Sequence, residues 1–152
     1  MAFISVTRLR VRSLRYLPQF IWRTMQSVRQ TERASGFLGG RLLRETRNAF
    51  WTITVWEDEA AMNAFRGSGA HRVAMPKLLN WCDEASIVHW NQETPELPTW
   101  LEAHRRMVNE GKRSKVNYPS SAQVTNHIAA PQPSRLEGNL KPAQPHGDAP
   151  RL

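Results

Sequence analysis

His71 is the residue whose surroundings most suggest chemistry. It stands in FRGSGAHRVAM, just past a Gly67-Ser68-Gly69 break and at the start of a helical run, with Arg72 beside it. Near a helix N-terminus the macrodipole disfavours an imidazolium, so a neutral ring able to take a proton or ligate a metal is predicted. The plainer reading, a histidine that caps the helix or meets solvent, fits the same residues, because no partner for it is visible in the sequence. His89 sits between Val88 and Trp90 in a strand-like run and reads as structural, His104 lies on an outer helix, and His127 and His146 fall near the C-terminus. Cys82 has no basic neighbour and reads as a buried, inert thiol. Trp51, Trp56, Trp81 and Trp90 lie on or near predicted strands, where flat apolar walls suit a planar ligand, although core packing accounts for most of them. The sequence holds no GxSxG elbow, no HExxH, no phosphate-cradling loop and no dinucleotide fingerprint, and no metal site is predicted.

The elements that position these residues follow from periodicity. Phe3 to Val11 alternates as a strand, with Phe3, Ser5, Thr7, Leu9 and Val11 on one side and Ile4, Val6, Arg8 and Arg10 on the other. A helix follows, with Pro18 in its first turn, an apolar face of Leu17, Phe20, Ile21, Met25 and Val28, and Gly36 as its C-cap. Phe37 to Thr46 reads as a strand in which Gly39 and Gly40 mark a bulge or a close backbone approach. A tight turn at Arg47-Asn48 leads to a third strand, Ala49 to Trp56, dense in β-branched and aromatic residues. Glu57, Asp58 and Glu59 then favour a helix N-terminus, the helix runs to the glycine break, and a second helical piece from about Ala70 to Trp81 contains Pro76. Glu84 to Trp90 is the fourth strand.

The order β-α-β-β-α-β predicts a ferredoxin-like α+β unit over residues 1–92, with an antiparallel sheet and both helices on one side. Residues 93–111 form a helical extension that packs back through Trp100, Leu101 and Met107. Residues 112–152 hold six of the ten prolines and few apolar residues. They read as a disordered basic tail whose removal leaves the melting temperature nearly unchanged. Both faces of the sheet are apolar. The second face is therefore assigned to another copy of the chain, giving a homodimeric α+β barrel, or else to the C-terminal helix of the same chain.

Composition narrows the classes. The net charge of +8 is concentrated at the front, where residues 1–56 carry ten arginines against Glu32 and Glu45. No zinc-finger spacing, RNP-like signature or helix-turn-helix accompanies it, so nucleic acid is not the expected partner and solvated charge is the favoured reading. One cysteine excludes an internal disulfide framework and fits a reducing compartment. The arginine-broken N-terminus is neither a secretory signal nor a membrane span, so a cytoplasmic location is expected.

The run FWTITVWEDEAAMNAFRGSGAHRVAMPKL resembles the third strand and following helix of the dimeric α+β barrel superfamily. That superfamily includes the antibiotic-biosynthesis monooxygenases, haem-degrading monooxygenases and spheroidene monooxygenase. Trp56, Asp58, Ala60 to Phe65 and Ala70-His71 carry the likeness, which is greatest to an uncharacterised bacterial branch allied to spheroidene monooxygenase. The haem-degrading branch's Asn, Trp and haem-ligating His fall on Thr7, Phe65 and Met75, so haem cleavage by that site is not implied. The spheroidene likeness implies haem as a cofactor with His71 as its ligand. Cofactor-independent relatives imply instead an apolar cleft in which an electron-rich substrate itself reduces oxygen.

The resemblance implies a monooxygenase-like protein that binds a small apolar or planar substrate between sheet and helices. Trp56 and Phe65 would be walls, His71 ligand or base, and Arg72 the contact for an anionic group. The alternative is a non-catalytic small-molecule-binding or stress protein of the same fold.

Overall fold

A computed structural model describes residues 1–132 and 136–143, so His146 lies outside the described residues. The elements are β1 (Ala2–Val11), a single 3₁₀ turn (Leu14–Tyr16), α1 (Leu17–Arg33), β2 (Phe37–Arg44), β3 (Ala49–Trp56), α2 (Glu59–Arg66), α3 (Gly69–Trp81) and β4 (Cys82–Gln92). After them come α4 (Trp100–Glu110), β5 (Lys112–Arg113), α5 (Ser121–Val124) and β6 (Glu137–Leu140). The strands form one antiparallel sheet in the order β5-β4-β1-β3-β2-β6. Its four central strands are the predicted ferredoxin-like set, and α1 packs against α3.

Local chemistry explains the joints. Asn48 has φ 60° in the turn between β2 and β3, a conformation that asparagine tolerates well. Asp58 caps α2 by accepting from Ala61 N at 2.8 Å. The β2–β3 register slips between Phe37 and Gly39, so Leu38 bulges. A Cβ on Gly40 would stand 2.6 Å from the Ile53 carbonyl oxygen, which is why the close approach needs glycine there.

Strand register sorts the side chains into two faces. Ala2, Ile4, Val6, Trp51, Ile53, Val55, Val88 and Trp90 share one buried cluster, and α4 closes it with Ala103 and Met107. Leu101, predicted to pack inward, is exposed instead, and Ala103 holds the inward position. The second sheet face is thus covered within the chain by α4. Arg8 lies on the same face, where it meets Glu84 at 2.8 Å with both side chains nearly excluded from solvent. Arg10 reaches the other carboxylate oxygen at 2.7 Å. Glu84 and Arg8 are a buried pair, because the β4–β1 register sets Glu84 opposite Arg10 and diagonal to Arg8 on the same face.

The described part of residues 112–152 is ordered, against the expectation of a disordered tail. Its apolar content is low, and hydrogen bonds to the open edge of β4 and to the end of α3 take the place of a core. Ser114 N donates to Ala85 O at 2.9 Å, and Asn117 N donates to Leu79 O at 2.8 Å. The buried Gln123 amide accepts from Ala85 N at 3.1 Å and donates to Ala85 O at 3.2 Å, doing the work of a paired strand. At the opposite edge β6 pairs with β2 and buries Leu140. Truncation after Gly111 is therefore expected to lower the melting temperature. Loss of Leu140 alone forfeits about 1.5–3 kcal/mol, and each kcal/mol is worth ~2–4 °C in a chain of this size. A calorimetric scan with an unchanged midpoint would restore the original reading of the tail.

Candidate functional site

The other sheet face does not pack solidly against the helices. Between them lies a cavity of about 340 Å³. Its floor is a square of hydroxyl residues, Ser5 opposite Thr54 and Thr7 opposite Thr52, on neighbouring strands. Thr24, Ser27 and Thr31 add hydroxyls from the inward side of α1. Leu9, Phe20, Trp56, Met62, Phe65 and Trp81 contribute apolar walls. Met25, predicted for the inward face of α1, is about half exposed. A sheet face with threonines at its centre cannot close into an oily core, since each hydroxyl buried without a partner is costly. A cavity there is the favoured solution.

His71 lines this cavity with Trp56 and Phe65, so three of the four predicted site residues converge. The Phe65 ring links the other two, with centroids 5.2 Å from Trp56 and 4.7 Å from His71. Arg72 does not join them. It is exposed and outside the cavity lining, and the cations that line it are Arg23, Arg66 and Lys115. One residue along a helix turns a side chain by roughly 100°, so His71 and Arg72 cannot share the inward face.

The position of His71 is fixed from α1. Ser68, the N-cap of α3, makes no side-chain cap, and Gln30 substitutes from across the helix pair. Its amide nitrogen donates to Ser68 O at 2.6 Å, while its oxygen accepts from His71 N at 2.8 Å. One orphan donor of the helix end is satisfied and the glycine break is pinned in the same contact. The His71 Nδ1 atom is buried without a hydrogen-bond partner. Burial pushes its pKa below the ordinary imidazole value; the Arg66 backbone opposes this and the Arg66 charge adds to it. His71 is thus a neutral base at pH 7.

His89 also faces this side, opposite Ser5 and 5.2 Å from the Phe3 ring. Its Nε2 is buried and unpartnered, and its pKa is lowered first by burial and then by Arg66. Trp56 Nε1 is likewise buried with no partner. The Cys82 thiol is fully buried and is pushed up to about 12, first by burial and then by the Asp83 charge, so it is inert. Trp51 and Trp90 belong to the opposite face, and His104 Nε2 meets the Ile128 carbonyl at 2.9 Å.

A pH dependence follows from the histidines. Both have folded pKa values below the unfolded value, about 6.5. Above that pH neither state is protonated and stability is unaffected. As pH falls below it, the unfolded chain takes up protons that the folded chain resists, and stability declines. Chemical denaturation is expected to show a falling midpoint from pH 7 towards pH 5, with a shallower slope in His71→Asn.

Residues 3–77 match the antibiotic biosynthesis monooxygenase family model. No curated protein matches the chain. Among solved structures, SnoaB from Streptomyces nogalater (mutant N63A), described as a cofactor-independent oxygenase, is 21% identical with a TM-score of 0.52, over 62% of this chain and 98% of its own. A conserved protein from Methanosarcina mazei Go1 is 17% identical with a TM-score of 0.55, over 61% of this chain and 94% of its own. Rv0793 from Mycobacterium tuberculosis is 9% identical with a TM-score of 0.56, over 62% of this chain and 97% of its own. These neighbours share the fold and leave more than a third of this chain without a counterpart. The specific link to spheroidene monooxygenase finds no support among them. Through the match of residues 3–77 and the antiparallel sheet with its helices, the chain has an antibiotic-biosynthesis-monooxygenase-like fold of the ferredoxin-like α+β type.

Proposed function

We propose that the protein is a cytoplasmic, cofactor-independent oxygenase acting on a flat, electron-rich molecule of two or three rings. The observation that carries this reading is the apolar-walled cavity lined by His71, whose ring is neutral and whose Nδ1 is buried without a partner. Its volume, about 340 Å³, lies at the lower end of small-ligand pockets. A tetrapyrrole is larger than this space, so haem does not fit, and titration with haem is expected to leave the Soret band unshifted.

His71 Nδ1 takes the proton from the hydroxyl of a phenol or enol tautomer. The resulting anion gives one electron to dissolved oxygen, leaving a carbon-centred radical and superoxide. The two join as a peroxide anion, which takes the proton back from His71 and then loses water as the hydroperoxide, so a CH₂ carbon becomes a carbonyl while O₂ ends as that carbonyl oxygen and one water. The cavity's part is to hold the ring system flat between Trp56 and the hydroxyl floor and to keep bulk water from the radical pair. An oxygen electrode with a tricyclic ketone bearing an activated CH₂ tests the reaction. Consumption of one O₂ per ketone supports it, and binding without oxygen uptake would give the non-catalytic alternative.

A homodimer is part of the same proposal, but it cannot use the sheet face that α4 occupies. The outward face of α4 remains, where Leu101 and Val108 lie two turns apart and exposed. Light scattering decides it: twice the chain mass supports the dimer, and a single chain mass removes it. No helix among the described residues is long and apolar enough to cross a membrane.

A further inference from the structure

The cavity's charge is one-sided. Arg23 from α1, Arg66 from α2 and Lys115 from the C-terminal segment all line it, and no aspartate or glutamate does. None of the three forms an ion pair among the described residues. Arg23 has only the face of Trp22, 5.0 Å away. On the opposite sheet face, by contrast, Arg8 and Arg10 both pair with Glu84. Three uncompensated cations around one concave, partly apolar space repel each other, and an anion that enters relieves the repulsion. Neutral His71 adds nothing to offset them.

We propose that the ligand is an organic anion, a flat aromatic or conjugated carboxylic acid, and that Lys115 selects it from the C-terminal segment. This rests on the small-molecule reading above and adds the ligand's charge. The cavity spans the sheet from Ala85 and Ile87 on β4 to Leu42 on β2. The C-terminal segment supplies both of its ends: Ser114, Lys115 and Val116 beside β4, and Leu140 beside β2. These residues lie outside the matched family segment, 3–77. Part of the selectivity therefore resides outside the segment that matches the family model, with Arg23 and Arg66 inside it. Lys115 is held where its neighbours are tied, since Ser114 N and Asn117 N both bond to the main domain. An ammonium on a long stem at an exposed rim can follow carboxylates at several positions, whereas Arg66 and Arg23 are set deeper.

Calorimetric titration with 2-naphthoic acid and with its neutral isostere 2-naphthamide tests this without requiring turnover. The acid is expected to bind about tenfold or more tightly than the amide at low salt, the worth of one charge-assisted contact. Lys115→Met is expected to remove several-fold of that preference while leaving amide affinity unchanged. The triple variant Arg23→Met, Arg66→Met, Lys115→Met should abolish the preference. All three side chains are at least partly exposed, so the fold survives. Equal affinity for acid and amide, no binding of either, or a preference that persists in the triple variant overturns the proposal. Acid-selective binding with no oxygen uptake would sink the oxygenase reading and leave this one standing. Oxygen uptake with equal use of acid and neutral substrates would do the reverse.

Discussion

His71→Ala is expected to lower turnover by about two to four orders of magnitude, the usual worth of a positioned general base, while substrate affinity changes little. The fold should survive, since the ring's main packing partner is Phe65 at 4.7 Å and such an aromatic pair contributes about 0.5–1.5 kcal/mol. His89→Ala is the informative control, because His89 shares the Arg66 environment yet does not line the cavity. It should reduce stability more than rate. Arg72→Ala should change neither, because the side chain points to solvent. Gln30→Ala should fall between: it leaves His71 intact but releases the contact that pins His71 N. The rate–pH profile gives a second check. With a base whose pKa is lowered, activity should hold at neutral pH and fall only as the solution turns acidic. A His71→Ala variant with parental turnover would end the assignment of His71 as base.

Glu84→Ala carries the largest expected loss of stability. Its carboxylate is held by Arg8 at 2.8 Å and Arg10 at 2.7 Å on the face beneath α4. Burial alone would raise its pKa, but the bonds from the two guanidinium groups outweigh that and hold it below the ordinary value. Removing it leaves Arg8 buried and unpaired, with its Nε already lacking a partner and only the Trp51 ring 6.0 Å away. Breaking a buried pair from one side costs about 3–5 kcal/mol, or roughly 10 °C in melting temperature for a chain of this size. Replacing both partners, Arg8→Met with Glu84→Leu, should recover much of it, since the pair itself adds little over apolar packing. The acid side follows the same sign. The pair's contribution is present above the unfolded carboxylate pKa, about 4.3, and is lost as pH falls through the lower folded value. A Glu84→Ala melting point within 2–3 °C of the parent, about 1 kcal/mol, would show the pair to be a surface feature.

Where the sequence was a sufficient guide, the signal was periodic. Phe3-Ser5-Thr7-Leu9 against Ile4-Val6-Arg8 predicts the two faces of β1 that the register displays. Gly40 predicts a close approach that the Ile53 carbonyl then makes. His71, Trp56 and Phe65 were legible as a group because they flank one strand-to-helix passage. What failed was long-range. Glu84 and Arg8 are 76 positions apart, and nothing local announces that they meet. Gln30 caps a helix that begins 39 positions later. The cavity floor has a signal in the sequence too: Ser5, Thr7, Thr52 and Thr54 alternate onto one sheet face, the one that the helices cover. Hydroxyls at the centre of an expected core point to a space for a ligand. The C-terminal segment misled because composition measures apolar burial and is blind to hydrogen bonds offered by an open strand edge.

That segment also bears on how the chain behaves while it is being made. β5 and β6 are short, and each lies along an edge of the four-stranded core, β4 on one side and β2 on the other. An uncovered edge is a template for pairing with another chain. About twenty residues separate the end of β4 from β5, and about fifty separate it from the end of β6, so at ordinary synthesis rates the two edges stay bare for roughly 1–4 and 2–10 seconds. During that interval the nascent chain is at its most prone to aggregate. The same edges would be bare throughout the life of a product cut short after Gly111. Such a product is expected to collect in the insoluble fraction at expression levels where the full chain stays dispersed. The C-terminal segment thus acts as the sheet's own guard against its neighbours.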